Sequence, residues 1–188
     1  MIIFVGGLIG AGKSTVAKSL ATKYGLFYYD VDEVKKVVYQ QDPDYEKNLQ
    51  NAIPFCDETR KKLYDRVVDD IKAFSNSYEC LIVDETLHKR EMRHQLFDAA
   101  EKYFGNFIVI WVKADEEVIK ERLTSKVRKN HILKDPMSMH NAMLAEFETF
   151  EQPVIVCRNN IKIEETMKDV DRVLSAIIQF GKITQTGK

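Results

Sequence analysis

Eight residues near the start of the chain, Gly7-Leu8-Ile9-Gly10-Ala11-Gly12-Lys13-Ser14, leave few folds open to it. They fit the spacing G-x-x-x-x-G-K-[ST] without a mismatch. Glycines lack Cβ, so successive amide N–H groups can curl round phosphate oxygens. The lysine then reaches the β- and γ-phosphates, and the serine hydroxyl meets a magnesium ion. Gly7, Leu8, Ile9, Gly10, Ala11, Gly12, Lys13, Ser14 and the adjoining Thr15 are the expected nucleotide-binding residues, with Lys13 also catalytic and Ser14 also a metal ligand. The flanks agree. Met1 to Val5 is a short apolar run that reads as a buried parallel strand, and Val16, Ala17, Leu20, Ala21 and Tyr24 fall at the spacing of a helix face. Strand, glycine turn and helix is the setting the spacing needs, because the helix N-terminus adds partial positive charge to the cradle.

Four more strand signals follow, alternating with helical periodicity. Phe27 to Tyr29 reads as the second strand and ends in Asp30-Val31-Asp32. If that strand continues, alternation puts Asp30 and Asp32 on one side, one toward metal-bound water and the other toward a substrate hydroxyl. Helix capping ahead of Glu33 to Gln40 is the competing explanation. A long amphipathic helix carries Leu63, Val67, Ile71 and Phe74, with Asp57 expected as its N-cap. Arg60, in the first turn of that helix, opposes the helix dipole, which makes it a candidate for holding an anion or polar substrate as well as an ordinary solvated arginine. Cys80 to Val83 is the third strand and ends in Asp84-Glu85. An acid there orients magnesium through water, as Walker-B acids do, and the neighbouring Glu85 could activate water or contact substrate; a capped strand terminus is the alternative.

From Thr86 to Phe104 a helix is expected, its face His88-Lys89-Arg90-Glu91-Arg93-His94 solvated. Phe107 to Val112, apolar on both faces, reads as a central strand with Trp111 in the core. Asp115 to Leu123 is a capped helix leading into the most basic stretch, Arg122 to His131, which can fold over a bound nucleotide; a nucleic-acid contact or an exposed loop would have the same composition. Methionines 137, 139 and 143, with Leu144, Phe147 and Phe150, read as a core-facing helix. Pro153 to Cys157 gives the last strand, Glu164 to Phe180 a closing helix, and residues 181–188 a tail.

The expected fold is therefore α/β, a doubly wound five-stranded parallel sheet with helices on both faces, forming a single domain over residues 1–180. At 188 residues the chain has room for one sizeable core. Lysine plus arginine is 28 against 29 for aspartate plus glutamate, so overall charge points to neither nucleic acid nor an anionic membrane. Cys56, Cys80 and Cys157 are far apart and odd in number, which suggests neither a disulfide framework nor a zinc site and fits a reducing cytoplasm.

With these motifs in place the chain resembles the small P-loop kinases, the group that includes shikimate kinase, gluconate kinase and the predicted kinases related to zeta toxins and polynucleotide kinase. Asp30-Val31-Asp32 is similar to the acid motif after strand two of shikimate and gluconate kinases. That resemblance implies Asp30 near Mg2+ and Asp32 as general base on the acceptor hydroxyl, with Asp84 as a further metal-side acid. Ile53-Pro54-Phe55-Cys56-Asp57-Glu58-Thr59-Arg60 is similar to the segment before the substrate helix of gluconate kinases but lacks their tryptophan. Val83-Asp84-Glu85-Thr86, followed by Arg90 and Arg93, is closer to the predicted kinases. The glycine-rich substrate motif of shikimate kinase is absent where Asp84-Glu85 stands. By family analogy Arg122 would stack on adenine and Arg128 would point at phosphates, in a lid at about 124–136, and residues 32–75 would form the acceptor side, with Asp32, Arg60 and Glu85 meeting substrate.

The implied activity is transfer of the γ-phosphoryl of ATP, with Mg2+, to a hydroxyl of a small molecule, by a monomer or homodimer. Two alternatives remain at this level: a nucleoside monophosphate kinase, in which several arginines converge on a phosphate acceptor, and a P-loop ATPase or nucleotide switch with no acceptor, using Glu85.

Overall fold

A computed structural model describes residues 1–51, 53–125, 135–160 and 162–185. Its centre is a five-stranded, all-parallel sheet in the order β2-β3-β1-β4-β5, built from β1 (Ile2–Gly6), β2 (Phe27–Asp30), β3 (Leu81–Asp84), β4 (Phe107–Lys113) and β5 (Ile155–Arg158). The fold class is the expected one. Strand β1 lies between β3 and β4, with Ile2 opposite both Leu81 and Phe107. The strand order reverses across β1, and the crevice beyond the carboxyl ends of the strands at such a reversal is where α/β sheets hold ligands.

Side-chain alternation along β1 divides the core in two. Ile2 and Phe4 pack with Leu81, Val83, Val109 and Trp111 against α4 (Asp57–Phe74) and α5 (Arg90–Phe104). Ile3 and Val5 pack with Ile82, Ile110 and Val112 against α1 (Lys13–Tyr24) and α8 (Ile163–Gln185). All five β1 residues are buried, as parallel strands covered on both faces must be. Trp111 is in the core, as expected, stacked on Phe147 with ring centroids 5.1 Å apart.

The remaining helices are α2 (Val31–Tyr39), α3 (Tyr45–Gln50), α6 (Glu116–Thr124) and α7 (Pro136–Ala145). Several boundaries differ from the expected ones. Strand β2 ends at Asp30 because Val31 is already helical, so Asp30 and Asp32 do not alternate along a strand. Cys56, not Asp57, occupies the N-cap position of α4; Asp57 is its first helical residue. No helix starts at Thr86: the chain turns through Leu87 in the left-handed region (φ 57°), its side chain fully buried, and α5 begins at Arg90. Helix α7 stops at Ala145, short of Phe147 and Phe150, and α8 runs to Gln185, past the expected end at Phe180. Among the described residues no helix is long and apolar enough to cross a membrane.

Candidate active site

The phosphate loop leaves β1 at the strand-order reversal and enters α1 through Gly12, whose φ of 89° is left-handed. A side chain there would be strained, and a Cβ would collide with Asn159 Nδ2. Gly10, also left-handed at 88°, has Ile119 and Leu123 at 3.0–3.1 Å from where a Cβ would stand. Three side chains from distant parts of the chain hold the loop's carbonyls. His140 Nδ1 donates to Ile9 O at 2.7 Å, Asn159 Nδ2 to Ala11 O at 2.9 Å, and Arg122 Nη1 to Gly10 O and Ala11 O at 3.3 and 3.2 Å. In a trans peptide unit C=O and N–H point opposite ways. Tying the Ile9 and Ala11 carbonyls therefore fixes the direction of the Gly10 and Gly12 amides. No side chain caps the start of α1: Thr15 N donates to Gly12 O at 3.1 Å, and the amides of Lys13 and Ser14 precede any helical acceptor, as at any helix start.

From this loop a chain of alternating charge runs into the crevice. Lys13 Nζ lies 3.7 Å from Asp84 Oδ1 and 3.6 Å from Asp32 Oδ2. Lys35 Nζ lies 2.9 Å from Asp32 Oδ1 and 2.7 Å from Glu85 Oε2, and the Tyr64 hydroxyl donates to Glu85 Oε1 at 2.9 Å. Burial works against both ammonium groups. The carboxylates outweigh it, and both lysines titrate above the ordinary lysine value. Lys35, aided by Lys13, holds the half-exposed Asp32 carboxyl well below the usual carboxylate range despite partial burial. Asp84 is different: burial lifts its carboxyl above that range, against the pull of Lys13 and of the Ser14 and Tyr28 hydroxyls.

Asp84 also bears on the metal question. Its Oδ2 accepts from Tyr28 at 2.8 Å, while its buried Oδ1 has no hydrogen-bond partner. Magnesium characteristically takes one or two carboxylates together with substrate phosphates rather than a cage of protein ligands. Asp84 beside the Ser14 hydroxyl is a donor set of that kind. Asp30, the other expected metal-side acid, is engaged elsewhere: Oδ1 caps α2 by accepting from Asp32 N at 3.0 Å, and Oδ2 lies 3.1 Å from the Tyr28 hydroxyl. The capping explanation is thus realised at Asp30, while Asp32 faces the two lysines.

Beyond the charges opens a cavity of about 530 Å3, reached by the phosphate loop on one side and by Lys35, Arg60, Glu85 and His88 on the other. Arg60 and Glu85 are both buried there. Arg60 Nη1 lies 3.3 Å from Glu146 Oε2, so it is neither solvated nor alone. Met139 and Met143, expected as core, form part of the cavity wall.

Two arginines are held by backbone carbonyls. Arg122 is turned onto the phosphate loop's carbonyls and onto Asn159 O at 2.8 Å, which makes it a brace for the loop. Arg93, expected on a solvated face, is fully buried. Its guanidinium reaches the carbonyls of Leu87, His88, Glu148 and Thr149 and lies 4.6 Å from the Phe150 ring centroid. Arg90 pairs with Glu151 at 3.0 Å. Arg128 and most of the expected lid lie outside the described residues. Lys35, Tyr64, His88, His140 and Asn159 were not among the expected site residues. Lys35 alone left a signal, standing three positions after Asp32 on one helix.

Residues 2–150 match the family described as AAA domain. Over 186 residues the chain is 21% identical to a probable gluconokinase of Dictyostelium discoideum, a match spanning 97% of this chain and 86% of that protein. A gluconokinase structure from Sinorhizobium meliloti 1021 matches with a TM-score of 0.72 at 18% identity, over 97% of this chain and 95% of that one. A sugar kinase structure from Janibacter sp. HTCC2649 gives 0.69 at 21%, over 93% and 92%. The structural likenesses bear on the fold and agree with the resemblance carried by the loop and the acid motifs. The chain belongs to the AAA-domain family and is similar to small P-loop kinases.

Proposed function

We propose that the protein transfers the γ-phosphoryl of Mg-ATP to a hydroxyl group of a small molecule. The observation that carries this is the placing of Lys13 between Asp84 and Asp32, at the junction of the phosphate loop with the cavity. Phosphoryl transfer asks mainly for positioning and charge stabilisation. The amides of Gly10, Gly12 and the start of α1 bind the phosphate tail, and Lys13 follows the charge on the transferred group. Ser14 and Asp84 hold the magnesium ion, which neutralises phosphate charge when bound. Asp32 orients the acceptor hydroxyl and takes its proton. Being strongly ionised, it is a weak base, which suits a loose transition state that demands little activation of the nucleophile. Residues 32–75 with the Glu85–His88 segment form the acceptor side, and Arg128 supplies a further cation from the lid.

The alternatives are less well supported. A monophosphate acceptor calls for free arginines, whereas Arg93 is committed to backbone carbonyls and Arg90 to Glu151. A water-activating Glu85 calls for a free carboxylate oxygen, whereas Lys35 and Tyr64 take both.

The test is ADP release across sugars, sugar acids, nucleosides and aminoglycosides. ADP formation is expected to depend on the acceptor, and in Asp32→Asn to fall roughly 10^2- to 10^4-fold while Mg-ATP affinity is retained. ADP release indifferent both to every acceptor and to Asp32→Asn would reject the proposal.

A further inference from the structure

The far half of the cavity has a chemistry of its own. Tyr39, Tyr45, Leu49, Pro54, Phe55 and Met143 line it, and the Tyr39 and Phe55 rings stack with centroids 4.1 Å apart. Tyr45 continues the series, 6.1 Å from Phe55. The polar groups among them are largely bound to one another: Lys35 to Asp32 and Glu85, Tyr64 to Glu85, Arg60 to Glu146. His88 differs. It is buried on the cavity wall and neither ring nitrogen has a hydrogen-bond partner, the nearest carboxylate, Glu146 Oε2, standing 3.8 Å from Nε2. A neutral imidazole offers one donor and one acceptor.

An open-chain sugar acid carries a hydroxyl on nearly every carbon, and each hydroxyl taken from water into this wall without a partner weakens binding. A flat ring loses nothing of the kind against tyrosine and phenylalanine faces, which favour offset or edge contacts with another π-system. We infer that the acceptor is an alcohol carried on a flat heteroaromatic ring, the ring lying against Tyr39 and Phe55 and its hydrogen-bonding edge toward His88 and Arg60. This rests on the kinase proposal above and narrows it to a substrate class unlike that named for the similar gluconokinases.

The experiment compares kcat/KM, by ADP release, for adenosine, guanosine, cytidine, uridine and pyridoxine against gluconate, glycerate and ribitol, with Mg-ATP binding measured separately by calorimetry. The expected result is turnover of at least one ring alcohol at kcat/KM 10-fold or more above every open-chain compound. Tyr39→Leu, which keeps apolar volume and removes the ring, is expected to raise KM for that ring alcohol at least 5-fold with kcat and Mg-ATP affinity little changed. Preferred turnover of an open-chain compound overturns the ring inference and leaves the kinase proposal standing. Mg-ATP binding with no turnover of any ring alcohol overturns it as well. Absence of Mg-ATP binding, by contrast, would remove the kinase proposal itself, and the ring inference with it. A Tyr39→Leu protein with unchanged KM for a turned-over ring alcohol overturns the placing of the ring.

Discussion

The two halves of the cleft are made of different material. The phosphate side is backbone, contributed by one contiguous loop and the start of α1 and braced from outside by His140, Asn159 and Arg122. The acceptor side is side chains, gathered from α2, α3, α4, the loop after β3, and α7. Amides are the same in every sequence, so a backbone site can be specified by glycine spacing alone and varies little. A wall of side chains can change its chemistry residue by residue with the fold intact. Chains of one fold can therefore differ in what they act on.

Substitutions on either side should break in different ways. Lys13→Ala should have the largest effect, lowering kcat/KM for every acceptor by on the order of 10^3-fold or more, since it removes charge stabilisation of the transferred group; acceptor-dependent kinetics would show it. Next is Lys35→Met, which leaves Glu85 buried without a cation and should cost about 3–5 kcal/mol of stability in urea unfolding. Removing both partners, Lys35→Met with Glu85→Leu, should recover most of that, because the desolvation cost of both charges goes as well.

Asp84→Asn separates function from stability. Burial raises the Asp84 pKa in the folded state, so carrying its charge costs folding free energy that the unfolded chain does not incur. The neutral isostere should therefore unfold at an equal or higher temperature, while kcat falls by roughly 10^2-fold through loss of metal-side charge. A lower Tm for this variant would show that the ion pair with Lys13 outweighs burial.

His88 gives the acceptor side a pH signature. Burial lowers its pKa from 6.5 to about 4. Between those values the unfolded chain binds the extra proton and the folded chain does not, so stability should fall as pH drops from about 6.5 toward about 4, by on the order of 2 kcal/mol. His88→Gln should flatten that slope in denaturation measured across the interval. The smallest effect is expected on the phosphate side: Asn159→Ala leaves Ala11 O to Arg122 alone and should weaken Mg-ATP binding by roughly 5- to 10-fold in calorimetry, about one hydrogen bond's worth. Tyr39→Leu, on the other side, should leave that affinity unchanged.

This division also accounts for what could be read before the structure. The five strands, their alternation with helices and the cradle follow from periodicity and glycine spacing, and Asp32, Asp84, Glu85 and Arg60 were marked by their positions at strand ends and a helix start; the strand order was not legible in the sequence. His140 and Asn159 carry no such mark, because each works by reaching a carbonyl more than 100 residues away in sequence. Arg93 was misread because its charge in a run of charges looks solvated; only tertiary packing brings four carbonyls and an aromatic face around it. The expected helix from Thr86 failed because Leu87 takes a left-handed turn to bury its side chain, a tertiary demand that local pattern cannot express.

Arg93 rivets the turn that follows β3 to the strand-bound segment after α7, and Glu148 adds a second fastening by capping Arg90 N from that segment at 2.6 Å. Two lengths of chain more than 50 positions apart are thus pinned to each other. The turn that lines the cavity at Thr86 and His88 is held by a guanidinium that is not itself part of the cavity wall. Lysine, with one ammonium in place of a planar fork, would keep only part of that fastening and leave the rest to Glu148.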